Sequence, residues 1–485
     1  MRQAYIIIIF CLICPLSVYA QDESPEDLFE DADYFFARED FAEAAYLYKQ
    51  VLRAEPENAN VKFKTGMAYL NIPGEESTAI PYFLEATKDI TQKYRKNRYE
   101  VKQAPYHTWF YLGNAYRINN ELEEALDAYE VFKSLKNFEK KYSVRLTDDE
   151  IKACGRAKII QDAPLDLYKF CFEEPLNTTG SDYKAVISAD EQVLVWMNSQ
   201  KFYEAILMSV KQDGKWSDPI NITPQVGSDG EMVPCGLSAD GTELLLVRHE
   251  NFDSDIYYSK YDGTFWSKAE PIQGEINSNF TEDHASFSAD GNRILFSSER
   301  RGSLGGLDIF YSDKTTDGYW SEPVNIGPRI NTEADETSAY LSPDGSKLVF
   351  SSKGHYNMGG YDIFYCDIRD DNIYSEAVNM GFPVNTTNNN IYFNPIKDGL
   401  SGIYSMRSED GPGNEDIWFL EIIPFEETVA KSLSRLSEQD FSIQLTNKNS
   451  GEVIKLLYDS VSDKITINTE SGNEYGVVYS RKIND

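Results

Sequence analysis

The sequence predicts a multidomain protein: an all-α superhelix, then an all-β propeller of five blades, then a small β-sandwich-like C-terminal domain. Three observations support this prediction. Apolar residues recur at helical spacing from Pro25 to about Lys136. A strand-and-turn pattern is then repeated five times. From Phe441 onward apolar and polar residues alternate, which is the period of a half-buried strand.

Residues 1–20 have the pattern of a secretory signal peptide. "MRQAYIIIIFCLICPLSVYA" contains one cation, an apolar stretch over Ala4–Leu16, and a small Ala20 at its end. The apolar stretch is too short to cross a bilayer as a helix. Neither Cys11 nor Cys14 follows a small residue, so no lipoprotein cleavage site is expected. We therefore expect an exported chain without direct membrane insertion.

The composition is strongly acidic. Lys and Arg number 46 against 79 Asp and Glu, which gives a formal net charge of −33. Such a chain repels nucleic acid and anionic lipid, and neither is an expected partner. The cysteines after residue 20 lack the spacing of a zinc site. They are Cys154, Cys171, Cys235 and Cys366. We interpret them as buried thiols, with a Cys154–Cys171 disulfide as the alternative.

The helical part, residues 21–162, contains three copies of a two-helix repeat. The clearest copy, "WFYLGNAYRINNELEEALDAYEVF", places small Gly113 and Ala125 where its two helices approach closely. The copies resemble the tetratricopeptide repeat, whose period is about 34 residues. Ala44, Ala79 and Ala125 occupy one equivalent position, and the second gap, of 46 residues, implies a twelve-residue insertion. A capping helix beginning near Asp148 is expected to end the repeats.

The insertion is basic within an acidic protein. Its sequence, "TQKYRKNRYEVKQAP", begins at Thr91. Two interpretations remain open: a solvated loop, and a loop that contacts an anion.

Repeats of this kind stack into a superhelix with a concave face. Apolar residues on that face predict a groove for a partner segment. Packing between neighbouring repeats is the alternative. The positions expected to face inward include Phe29, Phe63, Met67, Phe110, Asn114 and Arg117.

The middle of the chain, residues 163–424, contains the five copies. In the fourth, Ser342-Pro343-Asp344-Gly345 fits a type I turn between two strands. The equivalent aspartates are spaced by 50, 50, 54 and 54 residues, and each period has room for four short strands. One such sheet cannot bury both faces, whereas a ring of them can. The repeat resembles the TolB-type, WD-like propeller repeat.

The fifth copy lacks an outer strand. A lone strand pattern, "LDLYKFCF" over Leu165–Phe172, precedes the first copy. We expect this segment to pair with the fifth blade and close the ring, since an unpaired sheet edge is a liability.

An acidic or amide residue precedes each innermost strand. These residues are expected at one mouth of the central channel, where carboxylates would bind a cation or a basic ligand. A solvated acidic rim is the alternative, and a pair of such carboxylates could also act as a glycosidase. The residues are Asp182, Glu231, Glu282, Asp283, Asp335, Glu336 and Asn388.

No catalytic motif accompanies these acids. The four histidines occur outside any HExxH pattern, and no GxSxG sequence is present. We therefore expect no catalysis, no cofactor and no bound metal. A propeller that binds a glycan or a peptidoglycan fragment is one alternative function, and a glycan-acting enzyme is another.

The order of these parts resembles the PorE family of the type IX secretion and gliding machinery. The resemblance includes "IKACGRA", the "GGLDIFYSD" copies, a helical segment at 425–440 and a partial regulatory-type, transthyretin-like domain at 441–485. It implies a periplasmic scaffold that is peripherally associated with the outer membrane and binds periplasmic or outer-membrane proteins. The family typically continues into an OmpA-like domain that this sequence lacks, so peptidoglycan is expected to be contacted only indirectly.

Overall fold

The structure is a computed structural model. It describes residues 24–200, 203–250, 253–370, 373–408 and 410–423, and the strands at 441–447, 453–457 and 475–481. The predicted signal peptide and the predicted helix at 425–440 lie outside the described residues. The chain divides into two compact units. The first extends to Ile160 and includes Tyr356–Asp362 and Asn385–Asn389, and the second contains the remaining residues.

Helices dominate the first unit. They are α1 (Pro25–Ala37), α2 (Phe41–Ala54), α3 (Ala59–Leu70), α4 (Ala79–Ala86), α5 (Thr108–Ile118), α6 (Leu122–Ser134), α7 (Phe138–Lys141) and α8 (Val144–Gln161). A 3₁₀ turn at Glu76–Thr78 precedes α4, and β1 (Ile90–Thr91) pairs in parallel with β2 (Ala104–Pro105) at the base of the insertion.

The local sequence explains the helix starts and the close helix pairing. Ser24 accepts from the Asp27 backbone N–H and Asp27 bonds back, forming a capping box before α1. A Cβ on Gly66 would lie 2.7 Å from the Phe83 ring, and one on Gly113 would lie 2.4 Å from the Tyr129 ring. Only glycine therefore permits these helix pairs. The predicted helical repeats are confirmed.

The second unit is built from short strands grouped into blades. The first strand is β3 (Leu167–Cys171). Blade one contains β4 (Asp182–Ile187), β5 (Val193–Ser199), β6 (Glu204–Gln212), β7 (Lys215–Trp216) and β8 (Ile220–Asn221), and the short helix α9 (Thr223–Val226) follows. Blade two contains β9 (Met232–Leu237), β10 (Glu243–Glu250), β11 (Asp253–Lys260) and β12 (Glu270–Pro271).

The remaining blades repeat this order. Blade three contains β13 (Glu282–Phe287), β14 (Arg293–Ser298), β15 (Asp308–Asp313) and β16 (Val324–Asn325). Blade four contains β17 (Glu336–Leu341), β18 (Lys347–Ser352), β19 (Asp362–Asp370), β20 (Ile373–Tyr374) and β21 (Val378–Asn379). Blade five contains β22 (Asn394–Ile396), β23 (Ser401–Met406) and β24 (Asp416–Ile422).

The ring closes through β3. This strand pairs antiparallel with β24, placing Cys171 opposite Trp418 and Lys169 opposite Leu420. The innermost strands β4, β9, β13, β17 and β22 contact one another in order, and β22 contacts β4. The predicted five-bladed propeller is confirmed, including the outer strand supplied by Leu165–Phe172.

A repeated Asn-Ser/Thr dipeptide connects successive blades. Asn277 accepts from the Ile256 N–H at 2.8 Å and donates to the Ile256 carbonyl at 2.9 Å. Asn331 makes the same two bonds with Ile309. Each asparagine therefore satisfies the backbone of the Asp-Ile strand in the preceding blade.

The turn aspartates are structural. Asp344 accepts from Ser342 Oγ at 2.7 Å and from the Ser346 N–H at 2.9 Å, which fixes the hairpin tip.

All four described cysteines are free thiols, including Cys154 and Cys171. The last described strands, β25 (Phe441–Asn447), β26 (Val453–Leu457) and β27 (Tyr475–Arg481), form an antiparallel sheet with β25 in the centre.

Candidate functional site

The inward-facing aromatic residues of the repeats are covered. Phe29 is 1% exposed and Phe63 is 6% exposed, while Met67 and Phe110 are half-buried. The prediction that Phe29 and Phe63 line an open groove is therefore wrong. Both pack inside the first unit.

The covering residues come from the insertion. The Tyr99 ring lies 5.7 Å from the Phe29 ring, and the Tyr94 ring lies 6.2 Å from the Phe63 ring. Tyr94 Oη donates to Asn60 Oδ1 on α3 at 2.8 Å. The insertion thus lies across the inner face of α1 and α3, in the place expected for a partner segment.

A carboxylate at the end of α2 holds the other side of the insertion. Glu55 Oε2 pairs with Lys102 Nζ at 2.7 Å, and Tyr99 Oη donates to Glu55 Oε1. Burial acts to raise the Glu55 pKa, but hydrogen bonds from Lys102, Tyr99 and Asn58 outweigh it and lower the pKa below its usual value. Glu55 therefore stays ionised and keeps the insertion in place.

The other groove positions are used inside the same unit. Asn114 Oδ1 accepts from Tyr129 Oη at 2.8 Å, and the Phe110 ring lies 5.8 Å from the Tyr129 ring. Arg117 is 4% exposed, and its Nε lies 2.9 Å from Glu150 Oε2. Arg117 Nη1 also donates to the carbonyl of Thr387, in the Asn385–Asn389 segment of this unit. The Arg117 guanidinium is therefore buried rather than presented to a partner.

Three of the predicted rim acids are fully buried. Asp182 accepts from the backbone N–H and hydroxyl of Thr178 at 2.7 and 2.8 Å. It also accepts from Trp196 Nε1 at 2.9 Å and Asn198 Nδ2 at 2.6 Å. All of these donors belong to the blade that contains Asp182 or to its entry loop, so this carboxylate is structural.

The same arrangement recurs in blades three and four. Glu282 accepts from Ser278 and from Ser298 Oγ, and Glu336 accepts from Thr332 and from Ser352 Oγ. Both glutamates are 0% exposed, and burial raises the Glu336 pKa to about 7. The prediction of a ligand-binding rim is wrong for Asp182, Glu282 and Glu336.

The remaining rim residues are more accessible. Glu231 is exposed, and the residue after it, Met232, takes the position that a buried acid has in blades one, three and four. Asp283 accepts from Thr337 Oγ1 at 2.9 Å, and Asp335 pairs with Lys353 at 2.7 Å. Asn388 donates to Glu76 within the first unit at 3.3 Å. Whether any of them binds a ligand stays a prediction.

One set of residues at equivalent repeat positions in four blades was not predicted. Lys184, His284, Ser338 and Tyr392 are equivalent positions in four copies of the repeat, at separations of 100, 54 and 54 residues. The first three lie in the innermost strands β4, β13 and β17, and Tyr392 lies just before β22. These separations match those of the turn aspartates, so the repeat register could have identified them.

His284 and Tyr340 pack against each other between the innermost strands β13 and β17. Their rings are 4.8 Å apart, and Tyr340 Oη reaches across from blade four to the Cys235 carbonyl of blade two at 3.1 Å. His284 is 0% exposed, and neither ring nitrogen has a hydrogen-bond partner among the described residues. Burial, with the Lys184 charge added, lowers the His284 pKa to about 3. This histidine is therefore neutral.

Two general properties concern the described residues alone. No three His, Cys, Asp or Glu side chains in that part of the chain converge as a metal site requires. None of the helices described has the length and apolar composition needed to cross a membrane.

A tetratricopeptide repeat family model matches residues 29–94. No curated protein matches the chain. Similarity to solved structures covers about half of the chain.

Three solved structures illustrate that similarity. Putative TolB from Agrobacterium tumefaciens has 18% identity and a TM-score of 0.30, over 49% of this chain and 73% of that one. TolB from Acinetobacter baumannii has 16% identity and a TM-score of 0.31, over 50% of this chain and 54% of that one. The catalytic domain of Coprinopsis cinerea GH62 alpha-L-arabinofuranosidase has 10% identity and a TM-score of 0.34, over 53% of this chain and 96% of that one.

Proposed function

We propose that the protein is a non-catalytic scaffold that binds partner proteins. The main support is the tetratricopeptide repeat match over residues 29–94, since stacked repeats present extended surfaces for protein contacts. A propeller closed by β3 adds a second rigid body with its own exposed surface. Two such units in one chain suit a protein that holds other proteins together.

The arrangement of the acids supports the non-catalytic interpretation. A glycosidase needs two carboxylates that flank a sugar in an open site. Glu282 and Glu336 are instead 0% exposed and are hydrogen-bonded within their own blades. His284, on the innermost strand β13, is buried against Tyr340.

We further propose a setting for the scaffold, on the basis of the sequence. The resemblance to the PorE family supports type IX secretion or gliding as the machine that it serves. The pattern of residues 1–20 supports export to the periplasm. Peripheral association with the outer membrane through other proteins follows from the same resemblance.

Cross-linking in intact cells tests the scaffold. A photoreactive amino acid placed at Tyr46, which is 52% exposed on α2, should give cross-links to a small set of envelope proteins. The same group at Trp196, which is fully buried, is the matched negative control. High salt or urea should release the protein from envelopes without detergent, because the expected contacts are partly ionic.

Two results would contradict the proposal. One is a failure to cross-link any protein from position 46, so that the exposed position and the buried control at Trp196 give the same empty result. The other is hydrolysis of a glycoside by the purified protein that is lost in a Glu336→Gln variant of unchanged stability.

A further inference from the structure

The outer side of the insertion is strongly basic. Lys93, Arg95, Lys96 and Arg98 are all exposed, and we call these four residues the cationic surface. None of the four side chains forms an ion pair or a hydrogen bond with any residue in the described ranges. The protein has a formal net charge of −33, so four unpaired cations within six residues are an exception to its overall charge.

The inner side of the same segment fixes its conformation. Tyr94 and Tyr99 lie over Phe63 and Phe29, and Asn97 Oδ1 accepts from Lys64 Nζ at 3.2 Å. Tyr94, Asn97 and Tyr99 therefore hold the segment against α1 and α3, while the side chains of the cationic surface remain exposed. The cations are presented by a segment that is already held in place, so little backbone entropy remains to be lost when a ligand binds.

The basic character extends beyond the insertion. Gln92 Nε2 donates to the Lys136 carbonyl at 2.9 Å, which brings the start of the insertion against the segment after α6. Lys136, Lys140 and Lys141 in that segment are exposed as well. A ligand on the cationic surface would have further cations close by.

We propose that the cationic surface binds an acidic segment of a partner protein. The aromatic side of the insertion fills the groove. A partner at this face would therefore contact exposed cations rather than apolar side chains. Arginine forks and lysine ammonium groups both pair with carboxylates. This inference rests on the proposed scaffold function and names the chemistry of one of its partners.

The charge of the whole chain favours a narrow segment over an extended anionic surface. Exposed charges are screened over about 8 Å at physiological ionic strength. A short acidic segment can lie within that distance of the four cations and remain distant from most other acids. A membrane or a nucleic acid would also face the acidic remainder of the protein and be repelled.

Binding of a fluorescein-labelled peptide of ten glutamates to the full chain tests the proposal. The test variant combines Lys93→Gln, Arg95→Gln, Lys96→Gln and Arg98→Gln. The matched control removes four exposed cations of the propeller unit, Lys215, Lys268, Arg301 and Lys397, by the same change to Gln. Far-ultraviolet circular dichroism checks that both variants keep their helices.

We expect the unaltered chain to bind the peptide with an affinity that falls as salt rises. The test variant should bind roughly tenfold more weakly, and the control less than twofold. Equal losses in the two variants would overturn the proposal, since net charge alone would then explain binding. Binding to vesicles that contain phosphatidylglycerol, without binding to the peptide, would also overturn it.

The scaffold proposal can survive that failure. If the test variant keeps its cross-links from Tyr46 and the unaltered chain does not bind the peptide, only the acidic-segment proposal is wrong.

Discussion

The ring of Tyr99 packs against the ring of Phe29, with centroids 5.7 Å apart. Tyr99 belongs to the insertion between the second and third repeats, and Phe29 lies on the inner face of α1. The contact means that the chain fills part of its own groove. A partner of the first unit therefore meets the polar outer side of the insertion before it meets the aromatic inner face.

Replacing Tyr99 with alanine should destabilise the first unit. The change removes the ring from Phe29 and the hydrogen bond to Glu55, so the free energy of unfolding should fall by about 2–3 kcal/mol. Urea denaturation followed by helical circular dichroism measures this. Tyr34→Ala, at a residue that is 53% exposed, should cost less than about 0.5 kcal/mol. Equal effects would show that the insertion does not support the groove.

Replacing Asp182 with alanine should destabilise the propeller. Trp196 Nε1 and Asn198 Nδ2 would lose a buried acceptor, and we expect a loss of about 3–5 kcal/mol. The matched control is Glu231→Ala, an exposed acid at the same mouth, which should change stability by less than about 0.5 kcal/mol. Thermal unfolding monitored by tryptophan fluorescence distinguishes the two. A stable Asp182→Ala variant would return this carboxylate to the list of ligand-binding candidates.

His284 should make the propeller sensitive to acid. Its folded-state pKa of about 3 lies below the unfolded value of about 6.5, so between these values the unfolded chain binds the extra proton. Above pH 6.5 His284 is neutral in both states and does not lower the free energy of unfolding. As pH falls from 6.5 toward 3, protonation of the unfolded chain lowers that free energy progressively. Between pH 7 and pH 5 the loss amounts to about 2 kcal/mol.

A His284→Leu variant tests this pH dependence. Any change in packing affects both pH values equally, so the variant should lose about 2 kcal/mol less than the unaltered chain between pH 7 and pH 5. If the His284→Leu variant shows the same acid sensitivity as the unaltered chain, the histidine is not held neutral by burial.

Closure of the ring should depend on residues 165–172. Replacing them with eight alternating glycines and serines keeps the chain length but removes the side chains that β3 packs on β24. An unpaired edge would remain on β24, and aggregation should increase on heating. Light scattering during a thermal ramp measures this. Lys169→Gln, a change on the exposed face of β3, should behave like the unaltered protein, and identical scattering from both altered proteins would contradict the role of β3.

Repetition within the chain made much of the fold predictable. Small Gly113 at a helix crossing and the regularly spaced aspartates such as Asp344 are local requirements, and local requirements recur whenever the unit recurs. The missing outer strand could be predicted because sheet edges must be paired. The pattern around Leu165–Phe172 supplied the partner.

The candidate sites were less predictable, because burial depends on residues far apart in sequence. The sequence pattern places Glu282 at the channel mouth, but in the structure its carboxylate is buried and accepts hydrogen bonds from Ser278 and Ser298. The signal was present as the Asn-Ser/Thr dipeptide four or five residues before the acid. The sequence of one strand does not show whether the carboxylate is already hydrogen-bonded by residues of the same blade.

The sequence by itself determined the helical repeats, the five blades and the closing strand, because each depends on periodicity and on backbone pairing. Only the tertiary structure decided that Tyr94 and Tyr99 cover the groove and that His284 is buried against Tyr340. Those outcomes depend on contacts between segments that are distant in sequence. An aromatic ring is buried where the folded chain provides a space of matching shape. The same packing turns Lys93, Arg95, Lys96 and Arg98 outward, where their charges remain unpaired within the described chain.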